Sequence, residues 1–401
     1  MNFEPKTKIK LDHLGQYYAA INSKENPGTF SVSVHLKEPI ISGNLQQAVN
    51  DLMRRLPFLN VGRYDGKFSY YHEILENPPT LLHESKQPPL CRAFKSTESH
   101  LIRFIYGEKY VTAEVLHSVC DGRTLSLVMS SLIARYFELS GVKVNKENLI
   151  DCHETMNMEE AEDANAKYAD FNKTPIKENL KEVYVPSYQQ SNTQIITQKI
   201  DLATIKKKAK AKGLTITEYI MVHIGIEFKE QRKKDKSTNQ ITINVPIDCR
   251  AYFSSKSLRN FVSNKSITIP EVKDFTKTGE LIKNQFSEIT PDYIQAKISE
   301  VEKLMKRARF VPLFIKKRLI KKLGSDISGE YTTGISNLGL IKLPNNLQSK
   351  VHYFSFALGA EPQMPYQFAC VALGNILTFT TTTTAKDTEI INRINKRLSE
   401  D

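Results

Sequence analysis

The 401-residue sequence contains no apolar run approaching the ~20 residues that a membrane-spanning helix needs. Its first residues, MNFEPKTKIKLDH, also lack the apolar segment of a secretory signal peptide. With 40% hydrophobic and 25% charged residues, the composition excludes collagen-like and disordered chains and indicates an ordinary globular protein. We therefore predict a cytoplasmic protein, and the length suggests about two or three domain-sized units.

Cysteine is scarce, and several functional motifs are absent. The five cysteines are an odd number without a C-x-x-C pair, which argues against a disulfide framework and a zinc ribbon. We predict reduced, mostly buried thiols at all five positions: Cys91, Cys120, Cys152, Cys249 and Cys370. Walker and GxGxxG motifs are missing, GISNLG is not a nucleophile elbow, and the other histidines show no metal-ligand spacing. The sequence therefore predicts no metal site and no bound cofactor.

The net charge of +12 is concentrated in a few helical stretches. In residues 206–212, 229–236 and 303–322, basic residues alternate with apolar ones, as on a solvated helix face. Because zinc-finger spacing and an RNA-recognition aromatic signature are absent, we predict no nucleic-acid partner. For residues 303–322 we expect the apolar side to pack on the second lobe, so that membrane contact is absent. The alternative is a basic amphipathic segment that rests on an anionic membrane.

Helical and strand patterns divide the chain into two parts. Residues 1–180 are predicted as an N-terminal lobe and residues 181–401 as a C-terminal lobe, each with a mixed sheet and helices. Residues from about 142 to 190 are polar and locally acidic, which indicates a partly ordered linker. The expected class is therefore a two-lobed α/β protein.

The segment LHSVCDGRT, residues 116–124, is the strongest candidate for a chemical site. It follows a predicted strand, VTAEVL, and precedes a predicted helix, and it places His117 four residues before Asp121. A histidine at a strand end is held rigidly and suits proton transfer. From spacing alone, Asp121 could orient His117. One alternative is a purely structural role, with a core histidine followed by a helix-capping aspartate. Another is a catalytic dyad of His117 with Cys120.

The His-x-x-x-Asp-Gly pattern resembles the active-site motif of the chloramphenicol acetyltransferase-like superfamily, which includes condensation domains and alcohol acetyltransferases. Two further segments match in order. NVPIDCR, residues 244–250, resembles the strand of the second lobe that ends in Asp-x-Arg, and RNFVSN follows it. SNLGLIKLP, residues 336–344, resembles a Ser-Asn-x-Gly segment near the active-site channel. The resemblance spans nearly the whole chain.

This resemblance implies two chloramphenicol acetyltransferase-like lobes around a central channel, and transfer of an acyl group from acyl-CoA to a small alcohol or amine. His117 would be the general base, and Asp121 would form a buried salt bridge with Arg250. Gly122 would allow a tight turn into the helix, and its amide could face the oxyanion. Ser336 and Asn337 are candidate contacts to the thioester or acceptor, with a plain turn as the alternative.

Two departures from the family pattern keep other functions open. Condensation domains usually carry a pair of histidines, and Leu116 replaces the first of them. No carrier-protein serine motif is fused to the chain, which favours a free thioester such as acyl-CoA as co-substrate. The alternatives are a condensation partner of a free-standing acyl or peptidyl carrier protein, and a catalytically silent binding protein.

Overall fold

The computed structural model describes residues 3–85, 89–90, 92–94, 100–176 and 182–400, with side chains described outside residues 323–328. The strands of the first half are β1 (Lys8–Lys10), β2 (Thr29–Leu36), β3 (Val61–Asp65), β4 (Tyr70–Ile74), β5 (Leu82–His83), β6 (Ile102–Tyr106) and β7 (Tyr110–Leu116). Its helices are α1 (His13–Ile21), α2 (Ser42–Arg55), α3 (Gly122–Leu139) and α4 (Ala164–Tyr168).

The second half contributes the remaining elements. Its strands are β8 (Gln190–Asp201), β9 (Thr242–Asp248), β10 (Val262–Thr268), β11 (Thr333–Ile341), β12 (Val351–Leu358), β13 (Tyr366–Leu373) and β14 (Ile376–Ala385). Its helices are α5 (Leu202–Ala211), α6 (Ile216–Lys234), α7 (Phe275–Ser287), α8 (Pro291–Arg307), α9 (Leu313–Ser328), α10 (Asn345–Gln348) and α11 (Glu389–Glu400).

The first half is built around a five-stranded sheet in the order β12-β2-β7-β6-β5, flanked by a small antiparallel sheet, β1-β4-β3. Strand β2 alternates strictly, and its inward residues Phe30, Val32 and Val34 are at most 1% exposed. Side chains from α2 and α3 complete the core on this face. The period-two pattern of TFSVSVHL therefore becomes a strand with one buried apolar face.

The second half is built around a six-stranded sheet in the order β10-β9-β11-β13-β14-β8. Strand β11 runs parallel to β9 and β13, and the other pairs are antiparallel. Apolar side chains of α6 and α11 cover one face. On the other face, Ala369, Val371 and Leu373 of β13 join the core of the first half. The two sheets are thus connected through a shared apolar core, and the predicted two-lobed α/β class is confirmed.

One strand crosses between the halves. β12 pairs antiparallel with β2, with Phe354 opposite Val34 and Phe356 opposite Val32, so it extends the first sheet although it lies late in the chain. The division at residue 180 stays a prediction for the domains, but the sheets do not follow it strictly. The predicted linker is also more than a spacer, because Glu160 forms an ion pair of 2.6 Å with Arg55 of α2.

The basic stretch at residues 303–322 packs differently from the prediction. α9 lies against α1 of the first half, where Leu313 and Ile320 join a small cluster with Leu11 and Ala20. The expected packing on the second lobe is therefore wrong for this helix. A local pattern shows that a helix is amphipathic but does not show which surface it covers. Across the described ranges, no helix is both long and apolar enough to cross a bilayer.

Candidate active site

The segment predicted as the site connects a buried strand to a buried helix. β7 ends at Leu116 and α3 begins at Gly122. Asp121 is the N-cap of α3, and its Oδ1 accepts a hydrogen bond of 2.9 Å from the amide of Thr124. This cap satisfies one of the free amides at the helix start and fixes the turn that carries His117.

Hydrogen bonds hold both sides of the His117 backbone. Its amide donates to the carbonyl of Gly28 over 3.0 Å, and its carbonyl accepts from Nδ2 of Asn260 over 2.9 Å. The imidazole stacks on the ring of Tyr18, with centroids 4.4 Å apart and an interplanar angle of 2°. Phe30 contacts the imidazole at 4.6 Å between centroids. The half-buried ring is therefore held by two aromatic neighbours as well as by its backbone.

The amide of Asn260 selects the tautomer of His117. Because Nδ2 of Asn260 donates to the carbonyl of His117, the oxygen of this amide must be the atom that faces the imidazole. That oxygen lies 3.2 Å from Nδ1 of His117 and can only accept. Nδ1 therefore carries the proton, and Nε2 is left with a lone pair. This is the arrangement that a general base acting through Nε2 requires.

The electrostatic environment keeps this imidazole neutral. Burial lowers the pKa of His117 below its ordinary value of 6.5, although the nearby charge of Asp121 and the hydrogen bond to Asn260 oppose the shift. The balance favours the uncharged ring at neutral pH. A base that is already deprotonated is available without a preceding proton loss.

Asp121 and Arg250 meet between the two halves, in the pairing that the family resemblance implies. Nη1 of Arg250 lies 2.8 Å from Oδ2 of Asp121, and their side chains are 6% and 1% exposed. The same carboxylate oxygen accepts from the amide of Phe261 over 3.0 Å. Both oxygens of Asp121 are therefore engaged away from the imidazole, and the orienting role that spacing alone suggested falls to Asn260.

Arg250 also holds the loop that carries Asn260. Its Nε donates to the carbonyl of Ser257 over 2.9 Å, and its Nη2 donates to the carbonyl of Arg259 over 2.7 Å. The carbonyl of Asn260 accepts from Nδ2 of Asn165, a residue of the predicted linker, over 2.7 Å. A continuous polar network thus runs from Asp121 through Arg250 and Asn260 to His117.

Gly122 allows close packing rather than a tight turn. Its φ is not in the left-handed region, so the conformational reason expected from the sequence does not apply. A Cβ at this position would lie 2.9 Å from Cδ2 of Leu338 and 3.3 Å from the ring of Phe356. Leu338 belongs to the SNLG segment, so the two segments that the resemblance singled out lie against each other here.

Ser336 and Asn337 lie within β11 and not in a turn before a strand. Ser336 is half-buried and pairs with Ala369 of β13. Asn337 is exposed; its Nδ2 donates to Oγ1 of Thr217, and its Oδ1 accepts from the amide of Gly339 at a bulge in the strand. Their role as substrate contacts stays a prediction.

Other readings of the motif lose support. The thiol of Cys120 is fully buried, and burial raises its pKa well above the ordinary value, so it is a poor nucleophile. Cys249 and Cys370 are likewise buried free thiols, while Cys152 is partly exposed and Cys91 lies outside the described residues. Within the described ranges, no group of three or more His, Cys, Asp or Glu residues could hold a metal ion.

Sequence reasoning missed Asn260. It lies within RNFVSN, a segment noted only for its position after Asp-x-Arg, and no local pattern marks it as a partner of His117. The contact joins residues 143 positions apart in the chain. A recognisable local motif could have marked Asn260, but its loop has an ordinary composition. Its burial, with 1% of the residue exposed, is visible only in the folded structure.

No protein-family model and no curated protein matches the chain, but solved structures do. Polyketide synthase associated protein 5 from Mycobacterium tuberculosis is similar over 98% of this chain and 98% of its own, with a TM-score of 0.66 and 11% identity. The epimerization domain of the third module of tyrocidine synthetase B is similar over 98% and 94%, with a TM-score of 0.63 and 11% identity.

A third similar structure is a double mutant of the starter condensation domain of rhizomide synthetase, solved in complex with C8-CoA and Leu-SNAC. It matches over 98% of this chain and 93% of its own, with a TM-score of 0.59 and 9% identity. At such low identity the likeness shows the fold alone. The fold is that of condensation domains, which confirms the fold that the resemblance implied.

The first prediction concerns the buried ion pair. Arg250→Ala should lower the free energy of unfolding by about 3–5 kcal/mol, because Asp121 would remain charged without its partner. In a double-mutant cycle with Asp121→Ala, denaturant unfolding should reveal a coupling energy between the two sites. The matched control is Arg123→Ala, whose ion pair with Asp248 is exposed and should be worth less than about 1 kcal/mol. Additive effects at Arg250 and Asp121 would refute the pairing.

The second prediction concerns the contact between Gly122 and Leu338. Gly122→Ala should lower the free energy of unfolding by about 1–3 kcal/mol through overpacking. In a Leu338→Ala background the same change should become neutral or stabilising, since alanine favours the helix. Gly43 of α2, where a Cβ would meet nothing within 4 Å, is the control, and Gly43→Ala should stabilise the protein by up to about 1 kcal/mol. An equal cost of Gly122→Ala in both backgrounds would rule out the contact.

Proposed function

We propose that the protein is an acyltransferase that moves an acyl group from acyl-CoA to a small alcohol or amine, with His117 as the general base. The observation that carries the proposal is the hydrogen bond between Asn260 and Nδ1 of His117, which leaves Nε2 as a proton acceptor. The condensation-domain fold supports acyl or peptidyl transfer as the general reaction class.

The chemistry requires one base and no covalent enzyme intermediate. The acceptor's oxygen or nitrogen attacks the thioester carbonyl while its proton passes to Nε2 of His117. The tetrahedral adduct then collapses and breaks the carbon–sulfur bond. The departing thiolate takes the proton back from the imidazolium, so that ester or amide and free thiol are the products. General base catalysis of this kind typically contributes about 10²–10⁴-fold.

The start of α3 is the proposed oxyanion site. Gly122 is the first residue of the helix, so its amide lies outside the hydrogen-bond ladder of α3 and at the positive end of the helix dipole. An amide in this position suits the negative charge that develops on the thioester oxygen. Half-buried Ser336 and exposed Asn337 are proposed as contacts to the thioester or acceptor, because Leu338 beside them lies against Gly122.

The donor could also be carried by a protein. A double mutant of the rhizomide starter condensation domain was solved in complex with C8-CoA and Leu-SNAC, which supports a CoA thioester as donor for this fold. Condensation domains are parts of synthetases that work with carrier-bound substrates. This favours a free-standing acyl or peptidyl carrier protein as the second candidate for the donor. The assay that separates them offers the same acyl group on CoA and on a carrier protein. It reads thiol release with pooled alcohols and amines, and no release from either donor would support the silent binding protein.

The third prediction tests the base. His117→Ala should reduce acyl transfer by at least about 10²-fold, because no other group replaces the proton acceptor at Nε2. The melting temperature should stay within a few degrees, since the half-buried ring contributes stacking to Tyr18 but no ion pair. Thiol release with a validated acceptor and a thermal melt are the two measurements. Retained activity would refute the base assignment, and unfolding would support the core-histidine reading.

The fourth prediction is a pH dependence. The active form is the neutral ring, and burial lowers the pKa of His117 below 6.5. The value of kcat/KM should therefore stay constant as pH falls to about 6.5 and decrease only below it. Asn260→Asp places a carboxylate beside Nδ1, which stabilises the imidazolium and should move this acid limb upward by about 1–3 pH units. An unchanged limb in Asn260→Asp would show that Asn260 does not contact the active base.

A further inference from the structure

The helix α9 presents an apolar and basic surface to solvent. We define the α9 face by exposed apolar and basic residues of α9 and of the turn before it. These are Phe310, Phe314, Ile315, Arg318, Leu319, Lys321 and Lys322. Phe310 is 69% exposed, Phe314 is 65% exposed and Leu319 is 52% exposed. Single exposed apolar residues are common, but several within ten positions mark an interaction surface, and here basic residues are interleaved with them.

The opposite side of α9 is firmly attached to the protein. Leu313 is 9% exposed and packs in the cluster beneath α1, with Ile320 beside it. The amide of Leu313 donates to the carbonyl of Lys67 over 2.9 Å. Lys316 is 3% exposed, and its Nζ donates to the carbonyl of Phe68 over 2.6 Å. Since the inward positions recur at helical spacing, the α9 face is held outward and cannot fold back onto this core.

The charged residues of the segment that forms this face are of one sign. Residues 303–322 contain nine basic and no acidic residues. Lys316 is engaged inside, but Arg318, Lys321 and Lys322 remain exposed, as do Arg307 and Arg309 before the helix. The expectation that membrane contact is absent rested on packing of the apolar side and on the lack of a second anchor in a short segment broken by a proline. The structure packs Leu313 and Ile320 inward but leaves Phe314, Ile315 and Leu319 exposed.

Comparison with α5 shows that charge alone does not make this surface. Lys206, Lys207 and Lys210 are exposed there as well, so α5 is a similarly basic helix. Of its two large apolar residues, Ile205 is fully buried and Leu202 is partly buried. Of these two helices, only α9 therefore combines exposed aromatic and aliphatic side chains with exposed basic residues.

We propose that the α9 face is a docking surface for a bilayer that contains anionic lipids. At a membrane interface, aromatic and aliphatic groups enter the acyl boundary and Lys or Arg stay at the headgroups. On α9 both kinds of side chain lie on the exposed side of one helix. Arg318, Lys321 and Lys322 have long side chains that can reach phosphate groups while Phe314 and Leu319 enter the acyl boundary. The interleaving of charge and apolar groups favours a bilayer over an acidic protein, because protein interfaces concentrate charges at their rims.

The test is co-sedimentation of the full chain with vesicles of phosphatidylcholine alone and of phosphatidylcholine with phosphatidylserine. We expect binding to the anionic vesicles only, weakened by high salt. The triple variant Arg318→Gln, Lys321→Gln and Lys322→Gln should bind at least 10²-fold more weakly, at roughly fivefold per charge. The matched control, Lys206→Gln, Lys207→Gln and Lys210→Gln, loses the same charge from α5 and should bind as the unchanged protein does. Equal loss in both variants, or no binding by the unchanged protein, would overturn the proposal.

A second measurement reports insertion directly. The chain has no tryptophan, so Phe314→Trp introduces a single fluorophore in the α9 face. Its emission should shift to the blue with anionic vesicles, whereas Ile41→Trp, at a 57% exposed position of the first half outside the α9 face, should not shift. Sedimentation without a shift at position 314 would overturn docking through α9. Both readouts measure binding, so they are independent of whether the acyl transfer proposed above occurs.

Discussion

The buried ion pair between Asp121 and Arg250 is the constraint on which the rest of the site depends. Two charges that are 1% and 6% exposed are costly to desolvate, and the cost is offset only if every polar atom is satisfied. Here the remaining donors and acceptors of the two side chains bond to the backbone of both halves. Asp121 bonds to the start of α3, and both side chains bond to the loop at residues 257–261. Because that loop carries Asn260, the ion pair sets the tautomer of His117 from a distance.

The acidic residue of this site has a different role from the acid of a catalytic triad. In a triad the acid contacts the base and stabilises its protonated form. Asp121 instead engages Arg250, and the group that contacts Nδ1 of His117 is a neutral amide, so the imidazolium is stabilised less than in a triad. Burial then lowers the pKa of His117. The lowered pKa makes His117 a weaker base but keeps it deprotonated at neutral pH. This suits the attack of an alcohol or amine on an activated thioester.

The sequence predicted what is encoded locally or in an ordered set of motifs. The segment with the His-x-x-x-Asp-Gly pattern correctly placed a strand before His117 and a helix after it. Three features depend on distant contacts and were missed: the entry of β12 into the first sheet, the partner of His117, and the surface beneath α9. In each case the local pattern is compatible with several partners, and only the assembled chain selects one.

The central claim is that His117 is a neutral imidazole protonated at Nδ1. Nitrogen-15 NMR of the ring, with His117→Gln to assign the signals, measures this directly. At neutral pH we predict a protonated Nδ1 and an unprotonated Nε2 in the intact protein, and loss of this preference in Asn260→Leu. An imidazolium, or a ring protonated at Nε2 alone, would contradict the account, because the atom assigned as the base would then have no lone pair to offer.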